Sequence, residues 1–241
     1  MPQHKTGTQE EWVAASRELV AAEKEHMRQA DALAQRRREL PWVPVEKEYE
    51  FETEQGAKSL IDLFDGRSQL LVYHFMFGFG YRVDEDNPGC TGCSFVADHF
   101  DAARPHLNGH DVTLVAESLA PVDELLPYKE RMGWRFPWVS SGGSDFKYDF
   151  GAAFTEDQQR NGADYNFRHV DEPPWPQREG MSVFALEDGT AFHTYSSYDR
   201  GVEQFTGTFK YLDVAPLGRN EKTGAEWWRR HDEYGTNQEA A

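Results

Sequence analysis

The chain has 241 residues, enough for one sizeable hydrophobic core, and we expect one domain with additions. Its 42 acidic and 25 basic residues give a formal charge of −17, which argues against nucleic acid and anionic membranes as partners. Residues 1–5 lack an apolar leader, and the longest apolar run, residues 70–77, is too short to cross a bilayer. We therefore expect a cytoplasmic protein.

Residues 8–39 predict a long N-terminal helix that stops before Pro41. The segment is charged and alanine-rich, its apolar residues recur near the helical period, and Thr8 with Glu11 is typical of a capping box. Two packing partners are possible for the apolar side of this helix. They are the core of this chain and a second copy of the chain, in a homodimer.

The middle of the chain alternates between strands and helices. Residues 70–77 predict a strand buried on both faces, and the helix that starts near residue 94 is expected to end before Pro105. A second buried strand follows at 111–116, and a helix at 122–132. This series is typical of a parallel α/β sheet with right-handed crossovers. The loop at 78–89 is long enough to shape a substrate pocket.

The second half of the chain predicts an insertion, a hairpin and a closing helix. Glycine, aspartate, asparagine and proline are frequent in residues 140–176, which we interpret as an insertion and a candidate lid. Asp188 and Gly189 predict the turn of a hairpin. The predicted division of the chain is a helical extension at 1–40, a main domain at 41–220 with an insertion near 140–178, and a tail at 221–241.

Cys90 and Cys93, the only two cysteines, form a CxxC motif between the first buried strand and its helix. Backbone N–H groups and the dipole at a helix start stabilise a thiolate and lower a cysteine pKa from about 8.5 into the range of about 3.5 to 7.5. In a reducing compartment such a pair is redox-active or binds metal, although burial as two small core residues is the plainer alternative. The motif predicts that Cys90 attacks and Cys93 resolves.

Several distinctive stretches bear on the family to which the chain belongs. They are residues 71–77, 90–95, 97–100, 131–134, 136–141, 144–146, 148–150 and 192–196. On these stretches the chain resembles the bacterial thioredoxin-like proteins grouped as the domain of unknown function 899 family. The resemblance implies an α/β, thioredoxin-like fold, in which a central mixed sheet has flanking helices, here with a long N-terminal helix and a C-terminal extension.

One position departs from the thioredoxins proper. Those proteins have a cis-proline before the third core strand, facing the CxxC motif, where it helps bind substrate and keeps metals away from the thiols. Met181 stands at that position here. The departure weakens a general protein-disulfide reductase function and leaves metal binding open, because a thioether beside two thiolates suits Cu(I).

Two histidines extend the metal alternative. His74 lies in the first buried strand and His193 in the second arm of the hairpin. Each alone is best interpreted as a hydrogen-bonded core histidine. Together with Cys90, Cys93 and Met181 they form a candidate copper site, since imidazole and thiolate suit copper or zinc.

The leading hypothesis is a thiol redox protein that acts on a disulfide or peroxide through Cys90 and Cys93. This function requires no cofactor, and its partners are a thiol, a disulfide or another small-molecule substrate. The first alternative is a copper-binding protein or copper-dependent oxidase. The second is a non-catalytic binding protein that keeps the fold.

Overall fold

The computed structural model describes residues 4–78, 89–171, 175–220 and 228–234. Its strands are β1 (Val43–Pro44), β2 (Glu50–Thr53), β3 (Gly56–Ser59), β4 (Gln69–His74), β5 (Val112–Ser118), β6 (Trp138–Ser140), β7 (Ala163–Tyr165), β8 (Arg168–Val170), β9 (Gly180–Glu187) and β10 (Thr190–Tyr198). Its α-helices are α1 (Gln9–Arg38), α2 (Thr91–Ala97), α3 (Phe100–Gly109), α4 (Val122–Arg131), α5 (Phe146–Asp149), α6 (Glu156–Asn161) and α7 (Gly207–Val214). Short 3₁₀ turns occur at Asp62–Phe64, Asp199–Phe205 and His231–Glu233.

Eight of the strands form one mixed sheet in the order β1-β10-β9-β4-β5-β6-β2-β3. The pairs β4–β5 and β5–β6 are parallel, whereas β9 is antiparallel to both β4 and β10. The central strands are apolar at consecutive positions because helices and loops cover both faces of the sheet. The predicted thioredoxin-like fold, with a central mixed sheet and a long N-terminal helix, is confirmed.

Side-chain alternation along β4 divides the core into two layers. One layer contains Tyr73 and Phe75 and packs against α2 and α4, and both cysteines belong to it. The other contains Leu70 and Val72 and packs against α5 and the turn at Asp62–Phe64. A residue's position in the strand therefore decides whether it faces the cysteines.

The hairpin β9–β10 turns at Asp188 and Gly189, as predicted. These residues have φ angles of 49° and 80°, and two consecutive positive φ values are the conformation that an Asp-Gly hairpin turn adopts. Glycine is needed at the second position because the left-handed region carries no steric cost for it.

The prediction of one helix that follows the cysteines and ends before Pro105 is wrong. Two helices replace it: α2 ends at Ala97, and α3 continues through Pro105. A proline inside a helix removes one backbone hydrogen bond. Here α3 packs on β5, and Leu107, beyond the proline, contacts the core, so that tertiary packing outweighs the local penalty.

One further expectation needs correction. Helix α1 has the predicted capping box at Thr8, but it contains no buried residue, so packing of its apolar side on this chain's core is wrong. Within the candidate lid, α5 packs against the sheet face opposite the cysteines, whereas Trp175 lines the cavity at the cysteines, and the lid stays a prediction. The predicted pocket loop falls largely on residues 79–88, outside the described residues.

Candidate functional site

Cys90 and Cys93 lie at the start of α2, directly beyond the end of the central strand. Cys90 is the N-cap residue of the helix, and its Sγ accepts a hydrogen bond from the backbone N–H of Cys93 at 3.3 Å. The two cysteines come within 3.4 Å of each other. Because α2 has only seven residues, this local N–H contributes more directly than a long-helix dipole to stabilising negative charge on Cys90.

The two thiols differ in their surroundings. Both cysteines line a cavity, but Cys90 is 6% exposed and Cys93 only 1%. Burial raises the pKa of the Cys93 thiol well above its usual value, and the neighbouring Cys90 raises it further. The backbone N–H of Met76 donates to Cys93 Sγ at 3.5 Å and acts in the opposite direction, towards a lower pKa. This geometry suits Cys90 as the attacking thiol and Cys93 as the resolving thiol. Burial disfavours the thiolate of Cys93, and the Met76 N–H partly offsets that effect.

A cavity of about 500 Å³ opens over the two cysteines. Tyr73, Met76 and Phe95 contribute apolar walls to it. Thr206 Oγ1, a buried hydroxyl at the cavity, makes no hydrogen bond to any described residue, and the hydroxyl of Tyr73 interacts with the Cys93 thiol. Buried polar groups are usually hydrogen-bonded, so the Thr206 hydroxyl is suited to a ligand that carries polar atoms.

Three arginines and three carboxylates line the same cavity: Arg178, Arg200, Arg229, Glu179, Asp199 and Glu203. Arg178 forms an ion pair with Asp199 at 3.6 Å, and Arg200 forms one with Glu203 at 2.8 Å. The opposite charges balance within the cavity, although the whole chain is strongly acidic. This balance suits a substrate without a large net charge.

The C-terminal segment 228–234 lies on the start of α2. The indole ring of Trp228 stacks on Phe95 with 5.8 Å between ring centroids and an interplanar angle of 11°. A Cβ atom on Gly92 would lie 2.6 Å from Cζ3 of Trp228, so this close approach requires glycine in the motif. Sequence reasoning missed Trp228, because nothing near residue 228 indicates where the tail docks.

Arg230 fastens this segment beside the cysteines. Its Nη2 donates to the carbonyl oxygen of Gly89 at 2.6 Å, and its Nε donates to the hydroxyl of Tyr128 at 2.7 Å. Tyr128 Oη also lies 2.8 Å from Ser94 Oγ in α2. The buried guanidinium of Arg230 thus links Gly89, which precedes the cysteines, to Tyr128 of α4. Tyr128 in turn contacts Ser94 of α2.

The five residues of the candidate copper site do not converge. Cys90, Cys93 and Met181 share one layer of the core, whereas His74 and His193 face the other layer. The pairing of Tyr73 with Met181 and of His193 with Phe184 explains this division, since paired residues lie on the same face of a sheet. Across the described ranges, no group of three or more His, Cys, Asp and Glu side chains is arranged to hold a metal.

The two histidines instead join a buried hydrogen-bond chain. His74 Nδ1 lies 2.8 Å from Glu117 Oε2, and its Nε2 lies 2.9 Å from Ser182 Oγ. Ser196 Oγ continues the chain, at 2.9 Å from Ser182 Oγ and 2.8 Å from His193 Nε2. This confirms the plainer interpretation of both residues as hydrogen-bonded core histidines.

Glu117 and Lys147 complete this cluster, and both are fully buried. Lys147 Nζ lies 3.7 Å from Glu117 Oε2 and donates to the carbonyl oxygen of Phe75 at 2.7 Å. Ser141 Oγ donates to Glu117 Oε1. Sequence reasoning missed both residues, although an acidic residue at the end of a buried strand was a usable signal for Glu117.

Burial acts on every ionisable group of this cluster. It lowers the pKa of Lys147 and of His74, although Glu117 acts in the opposite direction on both. Burial also disfavours the charged form of Glu117, but the charge of Lys147 and the hydrogen bond from His74 outweigh it and keep the pKa of Glu117 below its usual value. These shifts favour a neutral imidazole at His74 and an ionised carboxylate at Glu117, which lies 3.7 Å from Lys147 Nζ.

Several solved structures are similar to this one in the course of the chain. Peroxiredoxin Q of Xanthomonas campestris aligns with a TM-score of 0.45 at 12% identity, over 68% of this chain and 89% of that one. Peroxidoxin BcpB of Mycobacterium tuberculosis gives 0.41 at 15% identity, over 72% and 96%. A putative thiol:disulfide interchange protein DsbE from Chlorobium tepidum gives 0.40 at 9%, over 65% and 84%.

None of the curated proteins compared with the chain matches it. The described helices include none that is long and apolar enough to cross a membrane. The family described as "Bacterial protein of unknown function (DUF899)" matches residues 1–234. The resemblance that rested on the scattered stretches around Cys90–Cys93 thus extends over nearly the whole length, and the chain belongs to the DUF899 family.

Proposed function

We propose that the protein is a thiol redox protein in which Cys90 attacks a small disulfide or peroxide and Cys93 resolves the product. The observation that carries the proposal is the cysteine pair itself: Cys90 Sγ accepts the N–H of Cys93 at the edge of a cavity, with Cys93 directly behind it. An N–H donor favours the thiolate, which is the reactive form of cysteine. Two thiols within 3.4 Å need little movement to form a disulfide.

The chemistry balances without a cofactor. With a disulfide, the Cys90 thiolate displaces one thiolate and forms a mixed disulfide, and Cys93 then displaces the second. With a peroxide, the Cys90 thiolate attacks one oxygen and breaks the O–O bond, which gives a sulfenic acid on Cys90 and releases an alcohol or water; attack by Cys93 on the sulfenic acid then forms the disulfide and releases water. Either way two electrons leave the dithiol, and the internal disulfide must then be reduced by another thiol. A reducing compartment such as the cytoplasm would supply that thiol.

The cavity supports a small substrate over a protein disulfide. Cys90 is almost buried, and Trp228 lies against Gly92 and lines the same cavity, so that a rigid protein surface cannot approach Cys90 closely. The apolar walls, the balanced charges and the unpartnered hydroxyl of Thr206 suit a compact organic molecule with one or two polar atoms.

Dithiodipyridine, a small neutral aromatic disulfide, tests the proposal. The reduced protein should release two equivalents of thiopyridone in two phases, and the product should carry an internal Cys90–Cys93 disulfide with no adduct. Cys93→Ser should release one equivalent and retain a pyridyl adduct on Cys90. Because the chain has only two cysteines, mass spectrometry assigns both products without interference.

Cys90→Ser is the matched control, since it leaves only the buried thiol. We expect its reaction to be much slower than that of Cys93→Ser. Wild-type protein that ends with two pyridyl adducts instead of an internal disulfide would show that the pair does not act as a redox couple.

No specific contact favours the copper alternative, whose ligands lie on two faces of the sheet. It and the non-catalytic alternative stay predictions from the sequence.

A further inference from the structure

A buried charged cluster lies on the far side of the sheet from the cysteines, and the redox chemistry just described does not use it. Lys147, Glu117 and His74 have no exposed surface. Burying an ammonium and a carboxylate costs free energy that their mutual attraction does not reliably recover, so such pairs are weak evidence for stability. Their role is better sought in what they contact.

Lys147 contacts the peptide group that joins Phe75 to Met76, just beyond the end of β4. The Phe75 carbonyl oxygen accepts hydrogen bonds from Lys147 Nζ at 2.7 Å and from Ser118 Oγ at 2.9 Å. The N–H of the same peptide group belongs to Met76, and it donates to Cys93 Sγ at 3.5 Å. One planar amide thus connects the lysine on one face of the sheet with the inner thiol on the other.

We propose that Lys147 is a positioning residue for the resolving step, because its ammonium polarises the Phe75–Met76 amide so that the N–H favours the thiolate of Cys93. Hydrogen bonds in a chain polarise one another, and those with a charged member are the stronger ones. An amide whose oxygen faces an ammonium carries more positive charge on its N–H. This proposal rests on the proposed function and assigns a task within it.

Other titratable groups also face Cys93. Cys90 at the start of α2, Tyr73 on β4 and Glu179 before β9 are all close enough to influence it. An ionised Cys90 or Glu179 opposes a second anion at Cys93, whereas burial raises the pKa of Tyr73 and keeps its hydroxyl protonated beside the Cys93 thiol. Lys147 is a basic residue whose path to the thiol is traced by hydrogen bonds.

The step that depends on Lys147 is the second displacement. The Cys93 thiolate attacks Cys90 of the mixed disulfide, the Cys90–Cys93 bond forms, and the bond to the outgoing sulfur breaks with its electron pair. The proton lost by Cys93 ends on the released thiol. With dithiodipyridine, one molecule oxidises one dithiol and yields two molecules of thiopyridone.

The pH profile of the second thiopyridone phase tests the proposal. In Lys147→Met we expect its midpoint to rise by about 0.5 to 1 pH unit and its rate below the midpoint to fall about three- to tenfold, since the thiolate fraction there falls tenfold per pKa unit. The first phase, which reports on Cys90, should change less. An unshifted midpoint in a folded variant would overturn the proposal.

Two further variants separate charge from structure. Lys147→Met alone leaves the Glu117 carboxylate buried and unpaired, which can unfold the protein. The double variant Lys147→Met/Glu117→Gln removes both charges, so that the role of the lysine can be measured in a folded protein. It should show the same upward shift. Ser118→Ala removes a neutral donor from the same carbonyl and should shift the midpoint by less than half as much.

An equal shift in Ser118→Ala would mean that any lost hydrogen bond has this effect, and it would overturn a specific role for the lysine. Failure of the proposed function is distinguishable, because it would remove the internal disulfide from the wild-type product. Failure of the lysine's role would leave that disulfide intact and the wild-type and variant profiles superimposed.

Discussion

His74 shows how a single buried side chain couples this fold to pH. It donates or accepts hydrogen bonds at both ring nitrogens and has no contact with water. Burial, only partly opposed by Glu117, lowers its pKa below the usual 6.5. Burial also lowers the pKa of His193. In the unfolded chain both rings regain ordinary basicity, so the unfolded state binds more protons at mildly acidic pH.

We therefore predict that the free energy of unfolding falls as the pH drops below about 6.5. This contribution is complete above the unfolded pKa and is lost as the pH falls towards the lower pKa of the folded state. The slope should approach about 1.4 kcal/mol per pH unit for each histidine protonated only in the unfolded chain. Urea unfolding between about pH 5 and pH 7.5 measures it.

The matched variants for this measurement are His74→Asn and His4→Asn. The first should reduce the slope, whereas the second removes an exposed histidine that precedes α1 and should leave the slope unchanged. If wild type and His74→Asn had equal slopes, the buried imidazole would not be the source of the pH dependence.

At the scale of elements, the segment 228–234 acts as a cover for the start of α2. Besides Trp228 and Arg230, it is fastened by an ion pair of Arg131 with Asp232 at 2.7 Å and by His231 Nδ1 at 2.7 Å from Asp98 Oδ1. These outer contacts are partly exposed and contribute little each, so the stacked and buried residues hold the segment.

Trp228→Ala should therefore expose Cys90. A stacked aromatic pair contributes about 0.5–1.5 kcal/mol beyond its buried area, so its loss should raise the rate of Cys90 alkylation by iodoacetamide roughly three- to tenfold. Trp42→Ala, which changes an exposed tryptophan next to Phe192 at the other edge of the sheet, is the control and should leave the rate unchanged. Equal rates in all three proteins would mean that Trp228 does not limit access.

At the scale of the whole molecule, α1 is a long element without a place in the core. It has 30 residues and a capped N-terminus, and none of its residues is buried. Its large apolar side chains are exposed, and Trp12, Leu19 and Leu33 are separated by multiples of seven residues, which puts them near one face of the helix. We propose that this face meets the same helix of a second copy.

Sedimentation measurements should then give twice the chain mass of 27.7 kDa. We expect Leu19→Glu/Leu33→Glu to sediment as a monomer, because carboxylates on the shared face would be buried against each other. Glu18→Gln, on an exposed position of α1, is the control and should remain dimeric. A wild-type monomer from about 1 to 100 µM would exclude association stronger than about 5 kcal/mol.

Local signals in the sequence determined much of the fold. The apolar run at 70–77, the Asp-Gly turn and the Thr8 capping box each act within a few residues, and each predicted its element correctly. The CxxC motif likewise identified the cysteine pair, because both thiols lie within one helical turn. Pro105 misled the helix prediction since its local penalty was outweighed by the packing of α3 on β5.

Only the tertiary structure decided what surrounds the cysteines. Strand pairing put His74 and His193 on the sheet face away from Cys90. The packing of α5 on that face brought Lys147 to the carbonyl of Phe75, 72 residues earlier in the chain. Arg230 meets Gly89 across 141 residues. Contacts between residues so far apart in the sequence depend on the strand register and the helix packing of the whole fold. No short stretch of sequence determines these. The cysteine pair was therefore readable in the chain, whereas the segment that covers it and the buried lysine were not.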